Sequence, residues 1–276
     1  MKNNVLVSFL SLLLLATVSL NAFAQDPYVQ LKNGYGYVDD SRTLKEKVDN
    51  SGKKDGNLLS GQKSQNGDEY DKLLKKELPT KAEVVKQIAN SMKAVKPCKK
   101  RSDFKISKFN IAATEVTQAQ WESIMGFNPS KHVGPNFPVE NVTWSQCQAF
   151  IKELNKLTGK KYRLPSVEEW QYAASGGQNG KGYKYSGSNQ IAEVAWYNSN
   201  SEGATHRVGM LKKSEIALHD MNGNVAEWCS DVAGSSHAFV GGSFADEASK
   251  CTAVCSKSSI LYLDEASPRI GFRLAE

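Results

Sequence analysis

The residues from Asp220 to Glu227 place hard oxygen donors at short spacing around a glycine. The stretch reads Asp220-Met221-Asn222-Gly223-Asn224-Val225-Ala226-Glu227 and runs on into Trp228 and Cys229. Its candidate ligands are the Asp220 and Glu227 carboxylates and the Gly223 and Val225 carbonyls. Calcium favours such a mixture of carboxylate and carbonyl oxygens, with a glycine where the backbone must bend sharply. The plainer reading is an Asn-Gly turn followed by a solvated glutamate. The spacing is not that of the twelve-residue helix-loop-helix calcium loop. Asp220 and Glu227 can also be drawn as an acid/base pair, but ligation or solvation explains them more simply.

The other reactive side chains are the thiols. Cys98, Cys147, Cys229, Cys251 and Cys255 show no zinc spacing, and His132, His206, His219 and His237 are scattered. An odd number leaves at least one thiol unpaired. Cys147 falls on an apolar stripe and reads as a buried core thiol. A bridge from Cys229 to Cys251 or Cys255 would close a loop of roughly 22–26 residues, worth roughly 3 kcal/mol in the chain-entropy model. The spacing does not choose between those partners, and a buried free thiol is the alternative. Neither a phosphate loop nor a dinucleotide turn is present. Ser243 follows Gly241-Gly242 but lacks the later glycine of a nucleophile elbow.

The chain's organisation sets where these groups act. Residues 1–24 have a basic start at Lys2, an apolar run from Val5 to Leu20 and the small-x-small site Ala22-Phe23-Ala24, the pattern of a cleaved secretory signal. No cysteine at the cleavage point calls for a lipid anchor, and no other stretch is apolar enough to cross a bilayer. An exported protein is therefore expected, periplasmic, surface-held or secreted, in a setting that permits disulfides. Residues 25–78 are polar and poor in large apolar groups, the composition of a flexible leader. The net charge of +6 is local: residues 25–101 hold 17 Lys and Arg against 11 Asp and Glu, and residues 102–276 are close to neutral. That split, with export, argues against a nucleic-acid partner, which would select a basic face on the fold itself.

Four capping boxes mark helix starts: Thr80 with Glu83, Thr117 with Gln120, Thr143 with Gln146 and Ser166 with Glu169. The first predicts a helix from Lys81 to Val95, stopped by Pro97, whose apolar stripe must pack on the domain that follows a basic junction at Lys99-Lys100-Arg101. Gly126, Gly159 and Gly176-Gly177 predict the other stops. The third helix carries the stripe Cys147, Phe150, Ile151, Leu154 and Leu157. Strands are predicted from Phe104 to Ile111 and from Pro268 to Leu274, and Gly241-Gly242-Ser243-Phe244 as a turn leading into a core strand. Residues 178–216 read as loop, and Trp121, Trp144, Trp170, Trp196 and Trp228 as core. Short capped helices among Asn, Pro and Gly turns predict an α+β domain over residues 102–276.

In order along the chain come Glu115-Val116-Thr117, Pro138-Val139-Glu140-Asn141-Val142-Thr143-Trp144, Tyr162-Arg163-Leu164-Pro165-Ser166, Glu168-Glu169-Trp170, the Asp220–Trp228 stretch, Gly241-Gly242-Ser243-Phe244 and Gly271-Phe272-Arg273-Leu274. This series resembles the formylglycine-generating enzyme, or sulfatase-modifying factor, family. The resemblance covers about Phe104 to Glu276 and implies its fold, which is related to C-type lectins. It also implies a cysteine oxidase that holds copper between two thiolates, three and eight residues after the serine of Gly-Gly-Ser. Counted from Ser243, the eighth residue is Cys251, but the third is Asp246. A carboxylate is a poor replacement for a copper(I) thiolate, so copper is not expected here. Three functions follow: a non-catalytic binding or assembly module with a protein or glycan partner in the cell envelope, an oxidase that converts a sulfatase cysteine to the formylglycine aldehyde or a divergent oxidase using Cys251, or a surface component recruited through its leader. Fold alone does not choose among them.

Overall fold

A computed structural model describes residues 78–97, 105–254 and 260–276. The expected signal and polar leader, the basic junction, Cys98 and Cys255 lie outside the described residues.

All four capping boxes form. They open α1 (Lys81–Ser91), α2 (Gln118–Met125), α3 (Trp144–Thr158) and α4 (Val167–Ala174). In each, the cap hydroxyl accepts the backbone N–H three residues on, and that residue's side chain accepts the cap N–H, so two otherwise unpaired donors are satisfied. Gly126 and Gly159 end α2 and α3 in the left-handed conformation, as expected. Leu157 was placed on the buried stripe of α3 but is exposed, because the helix has turned its last apolar position past the core.

The first helix ends sooner than its periodicity suggests. After Ser91 the backbone becomes extended, and Met92–Val95 forms β1, antiparallel to β2 (Phe109–Ala112) with Met92 opposite Ala112 and Val95 opposite Phe109. The expected Phe104–Ile111 strand is thereby confined to its end. Val84, Ile88 and Val95 are buried in the cores, so this segment is part of the same compact unit, Leu78–Glu276.

The second sheet has the order β5-β4-β3-β6, with β3 at Ala226–Ala233, β4 at Ser236–Val240, β5 at Leu261–Leu263 and β6 at Ile270–Gly271. The hairpin β3–β4 and the pair β4–β5 are antiparallel, whereas β3 and β6 run parallel. The glycines at 241 and 242 thus end a strand instead of leading into one. The predicted closing strand is reduced to β6, but the residues after it still pair: Ala112 N–H donates to Leu274 O, and Asn110 and Glu276 exchange two bonds of 2.8 Å.

Trp121, Trp170 and Trp228 are buried, while Trp144 and Trp196 are half-buried. Trp121 stacks on Phe150 with 5.4 Å between centroids, and Phe272 meets both rings edge-on. Such pairs add about 0.5–1.5 kcal/mol each beyond the area they bury. The expected α+β architecture is present, with long irregular segments fixed by packing.

Candidate functional site

The Asp220–Glu227 stretch is a buried brace. Gly223 N–H donates to Gly241 O and Asn224 N–H to Trp196 O. Gly223 has φ +73°, and a Cβ there would collide with the Trp196 carbonyl, so the position requires glycine. Asn222 Oδ1 accepts Ser186 N–H at 2.7 Å, and Asn224 Oδ1 accepts His206 N–H at 2.9 Å. The asparagines therefore tie down the irregular segment before them.

Glu227 enters β3 fully buried. Arg273 grips its carboxylate through two bonds, Nε to Oε2 at 2.6 Å and Nη2 to Oε1 at 2.7 Å. Trp170 Nε1 donates to Oε2 at 2.7 Å. The other Arg273 donors reach Ala112 O and His219 O. Glu227 is thus engaged by an internal cation and is not a free calcium ligand. Nearby, Asp220 Oδ2 accepts Gly209 N–H at 2.6 Å, and Glu115 Oε1 accepts Asn224 Nδ2 at 3.0 Å. Their second oxygens, Asp220 Oδ1 and Glu115 Oε2, are buried without a hydrogen-bond partner. Burial, and then the charge of Asp220, pushes the Glu115 carboxyl well above its usual range, and burial raises Asp220. Asp220 and Glu115, rather than Glu227, are thus the carboxylates with an oxygen left over for a hard cation. Among the described residues no group of three or more His, Cys, Asp or Glu side chains converges as metal ligands, so such an ion would need backbone carbonyls as well.

A second locus faces solvent beside the end of β4. A cleft of about 380 Å³ is lined by Trp170, Phe239, Val240, Gly241, Gly242, Ala253 and Leu261, with the polar groups of Asp246 and Lys250 among its lining. Asp246 Oδ2 accepts both Ser243 Oγ–H at 2.6 Å and Ser243 N–H at 3.0 Å, and Oδ1 accepts Arg269 Nη2. Burial alone would raise the Asp246 pKa, but Ser243 and Arg269 outweigh it and hold it below its ordinary value. Cys251 lies fully buried behind this locus, and its Sγ contacts Ser243 O at 3.9 Å. Burial, then the Asp246 charge, pushes its thiol up to about 12. A carboxylate held by Arg269 and Ser243, standing where the other thiolate would be, does not make a copper(I) donor pair with Cys251.

Of the two bridges weighed for Cys229, the one to Cys251 is not formed, and the one to Cys255 falls outside the described residues. Cys229 sits within β3, with its Sγ 3.8 Å from Glu227 O, and each sulfur is enclosed by its own surroundings. Sequence reasoning also missed Glu115, Arg273 and Arg269 as partners in these loci. Glu115 and Arg273 were visible only as letters of ordered motifs.

Residues 81–276 match the family model described as sulfatase-modifying factor enzyme 1-like domain. The chain belongs to this family. Among relatives of the sulfatase-modifying factor family, the chaperone protein LppX of Paenibacillus barcinonensis is 37% identical over 174 residues, covering 45% of this chain and 62% of LppX. The formylglycine-generating enzyme of Streptomyces coelicolor is 30% identical over 129 residues, covering 42% of this chain and 39% of that enzyme. The chain thus spans less than two thirds of the length of these curated relatives. Among solved structures, Treponema denticola variable protein 1 superposes with a TM-score of 0.57 at 28% identity, covering 67% of this chain and 94% of that one. These matches bear out the formylglycine-generating-enzyme-like fold.

Proposed function

We propose that this protein is an exported, non-catalytic binding or assembly module built on the sulfatase-modifying factor scaffold. The observation that carries this reading is the state of Asp246. It stands where the family resemblance expects the first copper thiolate, and its oxygens are committed to Ser243 and Arg269. Cys251 then has a hard carboxylate, not a soft thiolate, as its neighbour at the expected copper position. The cleft beside it retains the shape of a recognition site, of a size usual for ligand pockets. One relative is named a chaperone protein, which supports a protein partner over a glycan. Export rests on the residue 1–24 pattern, and recruitment to an envelope complex would use the basic leader.

The test is incubation of the mature protein with copper and a peptide carrying the sulfatase Cys-x-Pro-x-Arg motif, read by mass spectrometry. No aldehyde is expected. Aldehyde formation that disappears in Cys251→Ser would overturn the proposal and establish the oxidase.

A further inference from the structure

Resting on the reading of the chain as a binding module, we infer that the β4–β5 cleft takes an extended acidic peptide segment of a partner protein. The peptide would place an apolar side chain against Phe239 and Leu261 and a carboxylate beside Lys250. Several independent features point to this occupant.

The first is the edge. β5 is the terminal strand of its sheet, and among the described residues no strand pairs with its outer side. Unpaired strand edges accept an extended chain through backbone hydrogen bonds, with alternate side chains entering any adjacent pocket. Leu261 belongs both to β5 and to the cleft lining, so a strand added there delivers a side chain directly to the cavity. The second is the apolar content. Leu261 is 54% exposed and pairs across the strands with Phe239, and Val240 and Ala253 also line the cleft. Covering it would remove apolar surface from water, which favours an aromatic or branched aliphatic anchor.

The third is charge. Lys250 is 66% exposed at its side chain, and its Nζ lies 3.9 Å from Asp246 Oδ1. That carboxylate is already held by Arg269 and by both donors of Ser243. Two cations, Lys250 and Arg269, therefore share one carboxylate, and Lys250 is the more distant and more exposed of the two. A peptide carboxylate beside Lys250 would add to the partner that Asp246, shared with Arg269, supplies only in part, whereas a lysine or arginine in its place would add like charge.

The experiment is fluorescence anisotropy with the mature chain and a fluorescein-labelled octapeptide having a central Phe between two Asp residues. Control peptides carry Lys in place of Asp, or Gly in place of Phe. Saturable binding is expected for the acidic Phe peptide, weakened by salt, with the Gly peptide at least about tenfold weaker because the anchor is lost. The surface charge term is expected to separate the acidic and basic peptides by about fivefold, and Lys250→Glu to reverse that order. Leu261→Asp should abolish binding while leaving the melting temperature unchanged, since the side chain is exposed. Equal binding of all peptides, no anisotropy change at any protein concentration, or self-association through β5 that Leu261→Asp removes would each overturn the inference. Aldehyde formation in the copper assay would instead sink the non-catalytic reading, so the two failures are distinguishable.

Discussion

Arg273→Met isolates the most consequential interaction in the domain. The guanidinium makes two bonds to Glu227 and further bonds to the carbonyls of Ala112 and His219, and both charged side chains are fully buried. Methionine keeps much of the volume but leaves Glu227 as a buried anion next to Glu115 and Asp220. Breaking a buried pair by removing one partner costs about 3–5 kcal/mol. At about 2–4 °C per kcal/mol for a domain of this size, the melting temperature should fall by roughly 6–20 °C. That is a large share of a typical stability of about 5–15 kcal/mol, so a low yield of the variant is expected. The double variant Arg273→Met with Glu227→Gln removes the stranded charge and should regain part of the loss. Urea denaturation of wild type, single and double variants measures both effects. A single-variant loss below about 1 kcal/mol, or a double variant no more stable than the single, would refute the argument that the ion pair anchors β3.

Further predictions follow from the other loci. Burial raises the Glu140 carboxyl to about 7, partly opposed by the His132 and Lys131 N–H groups. The folded state therefore keeps a proton that the unfolded chain has released, and this contribution to stability falls as pH rises from about 4.5 to about 7. Relative to Glu140→Gln, wild type should lose stability across that window; a pH-independent difference in unfolding free energy would refute the assignment. Calcium in millimolar excess should raise the melting temperature over that in chelator, and Glu115→Gln should remove the rise; identical melts in wild type would discard a cation at Glu115 and Asp220. Under non-reducing conditions, no peptide linking Cys229 to Cys251 should appear by mass spectrometry, and Cys251 should resist alkylation until the protein is unfolded.

Local chemistry was the most legible layer of this sequence. The capping boxes at Thr80, Thr117, Thr143 and Ser166 are short-range patterns, and all form as read. β1 was hidden because Met92 and Val95 continue the helical apolar spacing of α1; only pairing with Phe109–Ala112, across the intervening chain, makes them a strand. The weight of the Asp220–Glu227 stretch was also legible, but its roles were not. Glu227 finds Arg273 46 positions away, and Asn224 finds Glu115 109 positions away. Spacing within the stretch therefore suggested ligands where long-range partners had made a brace. The cysteines show the same limit: sequence separation permitted a bridge from Cys229 to Cys251 that burial in separate surroundings does not form.

The pairing of β1 with β2 has a practical consequence for anyone trimming this protein. A recombinant fragment begun at residue 102, where the motif series starts, would discard Val84, Ile88 and Val95 from the interior and strip one side of Phe109–Ala112 bare. A bare apolar strand is a template for aggregation. Fragments meant for crystallisation or partner capture should therefore begin ahead of Thr80, so that the first helix keeps its cap and the strand its cover.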